Sequence, residues 1–224
     1  MNRKALYPMQ EHERQLQDLS AIRQMVEESS RFLSLSGLSG VAAGTAALAG
    51  AAIAYRYLRS EGLYGLMAAG YFPLEPAQLW VLVLLALAIL AVALLGAAWF
   101  TLRNARNRGR PLWTPAARRV LVHLSVPLLT GALFCIQLAW YGFAVLVPAA
   151  TLVFYGIALL SAGIYTHREI RYLGITEIVL GLLTGCWPGS GLISWALGFG
   201  LFHIVYGWVM YMRYEREGHS QQAQ

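Results

Sequence analysis

The sequence predicts an all-α membrane protein: a six-helix transmembrane bundle arranged as three helical hairpins, preceded by an N-terminal cytoplasmic amphipathic helix. Three observations carry that expectation. The 224-residue chain is 58% hydrophobic and only 12% charged, with a mean hydropathy of +0.52, whereas soluble domains carry roughly twice that charged fraction. Its apolar residues fall in long uncharged runs, several beyond the ~18 residues at which a helix rising about 1.5 Å per residue crosses a ~30 Å hydrocarbon core. Fifteen of its 17 Lys and Arg residues lie on one side of that pattern.

Residues 1–31 are expected to form the amphipathic helix, with Met9, Leu16, Leu19, Ile22 and Val26 on one face. Through Arg31 the segment holds five cations and five acids, so it lacks the basic excess of a helix drawn to anionic lipid. Electroneutrality favours packing against protein, either beneath its own bundle or on a second chain. Its polar length lacks the layout of a secretory signal, and no cleavage is expected.

The transmembrane domain is expected over residues 32–212. The first span, 32–57, is rich in small residues, and Ser36, Gly40 and Gly44 share one face where another backbone can approach closely. That face suits packing within the chain or a homodimer. The second span, 77–101, is a dense Leu/Ala/Val run. Val120 to Tyr165 contains no Lys, Arg, Asp or Glu over 46 residues, too long for one span and right for two, 118–140 and 142–166, with the turn near Gly142. The fifth span, 172–187, ends at the turn signal Pro188-Gly189-Ser190-Gly191, and the sixth covers 192–212. A polar tail, 213–224, closes the chain. Runs such as Leu82 to Leu95 do not alternate, which argues against a β-barrel.

An even number of spans places both termini on one side, and the cations choose it. Only Arg56 and Arg59 fall opposite the other fifteen, the bias that marks the cytoplasmic side of a bacterial inner membrane. Between the second and third spans, Arg103, Arg106, Arg108, Arg110, Arg118 and Arg119 occur without an acid, equalling the whole chain's net charge of +6. Attraction to anionic lipid headgroups accounts for this loop, with a phosphorylated ligand or acidic partner as the alternative. A loop so short and so close to the bilayer disfavours nucleic acid.

Polar groups at membrane depth are costly and often mark pathways. Glu177, His203 and His123 all fall in the predicted cytoplasmic half, at depths of roughly 7 to 14 Å. They suggest a shared pocket that relays protons or holds a cation, against the plainer account in which each satisfies a helix neighbour. Cys135 and Cys186 lie near the predicted outer ends of spans three and five. A disulfide between them is conceivable, but two small buried thiols are the simpler reading. No spacing resembles a metal site, no cofactor fingerprint occurs, and no nucleophile elbow, HExxH or Walker loop supports an enzyme.

Four stretches carry a resemblance: Ser30-Arg-Phe-Leu-Ser-Leu-Ser-Gly-Leu-Ser-Gly, Phe154-Tyr-Gly-Ile-Ala-Leu, Ile170-Arg-Tyr-Leu-Gly-Ile-Thr-Glu-Ile-Val-Leu-Gly-Leu and Gly198-Phe-Gly-Leu-Phe-His-Ile-Val-Tyr-Gly. Through them the chain resembles a family of bacterial six-span integral membrane proteins of unknown function. The resemblance makes Glu177 and His203 parts of family motifs and assigns them no role. Two functions stand open at this level. One is a non-enzymatic membrane scaffold or signalling partner, with a homo-oligomer or cytoplasmic protein engaged through the N-terminal helix. The other is a small transporter or channel centred on Glu177, His123 and His203. If the N-terminal helix is the partner surface, a chain starting near Ser30 inserts into the membrane at normal yield but loses its assembly in mild detergent; unchanged assembly on size-exclusion chromatography removes that role.

Overall fold

A computed structural model of the chain describes residues 35–68, 74–109 and 111–216. The expected N-terminal helix, Arg110 and residues 217–224 lie outside them. Among the described residues the backbone is about 90% helical, without a strand. The helices are α1 (Gly37–Ser60), the short α2 (Leu63–Ala68), α3 (Pro76–Asn107), α4 (Pro115–Trp140), α5 (Val147–Ala162) and α6 (Arg168–Cys186), followed by α7 (Gly191–Trp195) and α8 (His203–Met210). π-Helical segments at Ala196–Phe202 and Tyr211–Arg216 join α7 to α8 and extend α8. The whole stretch Pro188–Glu215 therefore runs as one C-terminal rod.

Five helical segments are long and apolar enough to cross a membrane: Gly37–Ser60, Pro76–Asn107, Pro115–Trp140, Ala144–Tyr165 and Pro188–Glu215. The chain is a multi-pass membrane protein. α6 has 19 residues, but Arg168, Glu169, Arg171 and Glu177 lower its apolar content and set it apart from the five.

Several helices continue beyond the apolar runs that announce them, because caps and not hydrophobicity end a helix. α3 begins at Pro76 behind a capping box of Glu75 and Gln78 and runs on to Asn107 before Gly109, at φ +58°. α4 starts at Pro115, where the Thr114 hydroxyl accepts from the Ala117 N–H at 3.1 Å. After α4 the chain reverses at Gly142, whose φ of +83° a side chain would resist. The expected polar tail at 213 is helical through Arg216. Side-chain contacts hold that extension: Arg213 and Tyr214 bond Glu169, and Glu215 caps α1.

Successive helices run up and down. Ser36, Arg108, Arg119, Tyr165, Glu169 and Tyr214 meet in contacts at one Arg-rich end, while Leu58 and Leu63 pack with Leu74, Ala144 and Leu192 at the other. α1 packs on α3 and on the C-terminal rod, and α4 packs on α5. The most extensive interfaces join α1 to the rod and α5 to α6, the latter pair successive but belonging to different expected hairpins.

Glycine makes the two central interfaces. A Cβ on Gly156 of α5 would sit 2.6 Å from the Gly174 carbonyl oxygen of α6, and one on Gly174 would sit 2.7 Å from the Gly156 oxygen. Between α1 and the rod, a Cβ on Gly44 would meet the Gly200 oxygen at 2.6 Å and one on Gly207 the Gly37 oxygen at 2.6 Å. Lipid tails are as apolar as leucine, so helices in a bilayer gain mainly from such backbone-close dispersion contacts. Outside these seams α3 and α4 present large apolar side chains outward, among them Leu95, Trp99, Leu129 and Ile136. Gly174→Val should therefore destabilise the bundle by about 1–3 kcal/mol or more, read as a lowered unfolding midpoint in detergent, whereas Gly185→Val, where a Cβ meets no atom within 4 Å, should leave the midpoint nearly unchanged.

Candidate functional site

The best-developed polar cluster in the interior is built by three helical segments around Glu177 and His203. α6 contributes Glu177, which is 0% exposed, and the rod contributes His203, 6% exposed. α5 adds Tyr155, whose hydroxyl lies 2.8 Å from His203 Nε2. The π-helical turn preceding α8 directs the Gly198 carbonyl onto His203 Nδ1 at 2.9 Å, and Nδ1 is also 3.5 Å from Glu177 Oε1.

These partners assign the proton positions. A carbonyl only accepts, so Nδ1 carries hydrogen; in the neutral ring Nε2 then accepts from the Tyr155 O–H. His203 is thereby satisfied at both nitrogens. Glu177 is not: among the described residues neither carboxyl oxygen has a hydrogen-bond partner, although both are buried. A Cβ on Gly198 would collide with Glu177 Oε2 and with Leu152, so that carboxyl group lies directly on glycine backbone. Leu152, itself 0% exposed, closes the same spot. Above the ring, Trp195, Phe199 and His203 follow one another at helical spacing, with centroids 5.0 and 6.0 Å apart. Chemically, the line Glu177–His203–Tyr155 can hold or pass a proton; the described packing leaves a carboxyl group that needs a proton, a cation or a donor to offset its burial.

A second cluster lies at the Arg-rich end. Glu169, also buried, accepts from Arg213 Nη1 at 3.0 Å and from the Tyr214 hydroxyl at 3.1 Å. His167 stacks on Tyr214 at 4.2 Å, and Arg108 Nη2 donates to the Tyr214 carbonyl at 2.6 Å. Glu215 accepts from Ser36 Oγ at 3.1 Å and from the Gly37 N–H. It supplies from the far end of the sequence the acidic cap that stabilises the first turn of α1.

Of the three intramembrane groups expected together, the structure joins Glu177 and His203 and separates His123. That residue is exposed on α4, 4.9 Å from the Tyr165 ring, in a cleft with Trp113, Arg118 and Arg119. The reason is angular: α4 packs on α5 through Gly131 and Phe154, which turns His123 away from α6 and the rod. Ser36, Gly40 and Gly44 face the chain's own C-terminal rod at Glu215, Gly207 and Gly200. Arg103 lines a smaller cleft with Asn104, Asn107 and Glu215, Arg106 is exposed, and Arg108 is engaged as above. Cys135 and Cys186 are free thiols. Among the described residues no group of three His, Cys, Asp or Glu side chains is arranged to hold a metal.

Tyr155, Glu169 and Glu215 were not singled out from the sequence. Glu169 was findable, since it precedes Glu177 by eight residues and so shares its helix face. Tyr155 and Glu215 gave no comparable signal. No family model, curated protein or solved structure matches the chain.

Tyr155→Phe deletes the donor to His203 Nε2 and should cost about 0.6 kcal/mol, at most ~1.7, the range of interhelical hydrogen bonds in a bilayer. Gly198→Ala forces Glu177 and Leu152 apart and should cost more. A denaturant titration in mixed micelles that finds Tyr155→Phe the more damaging would contradict this ordering.

Proposed function

We propose that the chain is a six-span protein of a bacterial inner membrane, with both termini cytoplasmic, and that it acts as a non-enzymatic scaffold or signalling partner. The charge bias of fifteen cations to two supports the orientation. The sixth crossing is α6. Its 19 residues reach about 28 Å, and its acids turn inward, Glu177 to His203 and Glu169 to Arg213 and Tyr214. Inward placement is how a helix carrying charge is accommodated in lipid.

The single observation carrying the scaffold reading is the closure of the bundle around Glu177. Glycine backbone from the rod and Leu152 from α5 sit directly on the carboxyl group, where a transport path would need room for an ion or water. A rigid interior with its polar contacts gathered at the Arg-rich rim suits a platform for other chains. A second reading rests on the two oxygens of Glu177, which have no hydrogen-bond partner among the described residues: a small proton or cation transporter that uses Glu177 and His203. Under the scaffold reading, purified protein in liposomes loaded with a pH-sensitive dye shows no flux above empty vesicles, and Glu177→Gln behaves identically. Proton or cation flux that Glu177→Gln abolishes would replace the scaffold by the transporter.

In a chain with Cys135 and Cys186, both free thiols, replaced by serine, a cysteine at Ser190 tests the six-span arrangement. It should react with a membrane-impermeant maleimide on intact spheroplasts, and one at Asn107 only after permeabilisation. The reverse pattern, or labelling of both, overturns the topology.

A further inference from the structure

The described Arg residues from Arg108 into the start of α4 do not act alike. Arg108 is occupied by the Tyr214 carbonyl, but Arg118 and Arg119, in the first turn of α4, are exposed. They line a cleft of ≈480 Å³ with Trp113, Thr114, Pro115, Val122 and His123. No acid lines it. Arg119 is oriented in advance, its guanidinium 5.9 Å from the centroid of the Tyr165 ring, against whose ring His123 also packs. Trp113 stands at the rim, 76% exposed.

From Arg118 the same face of α4 continues through Val122, Val126 and Leu129, at spacings of four, four and three residues. All three side chains are exposed, Leu129 at 65%. The cleft thus presents two permanent cations and an imidazole at the helix start, an indole at the level where aromatic side chains favour the membrane interface, and an uncovered apolar track running toward the bilayer centre. The matching occupant has a phosphate head and acyl chains: guanidinium forks bind phosphate oxygens bidentately, and α4 offers the chains a surface. A soluble phosphate compound would leave the track unused.

We propose that this cleft is a discrete binding site for one anionic phospholipid, its phosphate between Arg118 and Arg119, its headgroup beside Trp113 and His123, and its chains along Val122, Val126 and Leu129. The proposal rests on α4 crossing the membrane and not on the scaffold reading, so a flux result decides the one without deciding the other.

The test uses the full chain, delipidated in mild detergent and titrated with phosphatidylglycerol, phosphatidylcholine or inorganic phosphate, with binding read by the unfolding midpoint and by native mass spectrometry. Phosphatidylglycerol should raise the midpoint and remain bound as a single copy, while the other two probes at equal concentration should not. Replacing both cations, Arg118→Gln with Arg119→Gln, should weaken phosphatidylglycerol binding roughly 30-fold, the sum of two interfacial cations. Arg106→Gln, outside the cleft, should change it less than about twofold. Arg118→Gln alone, which leaves the Arg119–Tyr165 contact intact, should give an intermediate loss in a chain that elutes normally. An equal loss from Arg106→Gln would reduce the site to diffuse attraction, equal stabilisation by inorganic phosphate would make it a free-anion site, and no response to phosphatidylglycerol would remove it.

Discussion

Backbone-to-backbone contact through glycine is the constraint on which this bundle depends. Lipid gives apolar side chains little reason to prefer each other, so association must come from contacts that tails cannot imitate. Gly156 against Gly174 and Gly37, Gly40 and Gly44 against Gly200, His203 and Gly207 supply them. Because α5 meets α6 and α1 meets the C-terminal rod so closely, the remaining helices have fewer choices. α3 docks on α1, and α4 docks on α5. Both leave broad apolar faces outward, as a membrane allows.

The same closeness creates the interior polar cluster. With α5, α6 and the rod drawn together, Glu177 is fully buried, and His203 finds its partners in Tyr155 and the Gly198 carbonyl. The π-helical turn at Ala196–Phe202 is part of this arrangement, since the Gly198 carbonyl it carries faces the imidazole five residues later. Glycine at 198 is required twice, once for the approach of the helices and once because any Cβ would occupy the place of the Glu177 carboxyl group. At the Arg-rich end the logic is different. Charges there are satisfied across long stretches of sequence, Glu215 to α1 and Arg213 and Tyr214 to Glu169. These contacts tie the end of the rod to the beginnings of α1 and α6.

Much of the helical architecture was legible because in a membrane hydrophobicity, length and charge bias are themselves structural variables. Uncharged runs marked the five apolar crossing segments, and Gly142 marked a turn. Helix ends were less legible, since Thr114, the Glu75–Gln78 box and the Glu169 and Glu215 contacts extend helices beyond their apolar cores. Within the site, Glu177 and His203 stood out as polar groups among apolar neighbours. Their meeting did not, and neither did the exclusion of His123, because depth along a helix is a sequence property and angle around the bundle is not.

Sequence alone determined that this chain belongs in a bilayer, that five of its runs are long and apolar enough to cross it, and where its cations accumulate. Those follow from composition and spacing, through the cost of moving polar and charged groups into hydrocarbon. Tertiary structure alone decided that Glu177 touches His203, that Tyr155 completes the line, that the small-residue face of α1 is covered by the chain's own C-terminus, and that Arg118 and Arg119 face an open cleft while Arg108 is engaged. Each depends on how helices rotate about their axes when glycine surfaces meet, and no single helix carries that information.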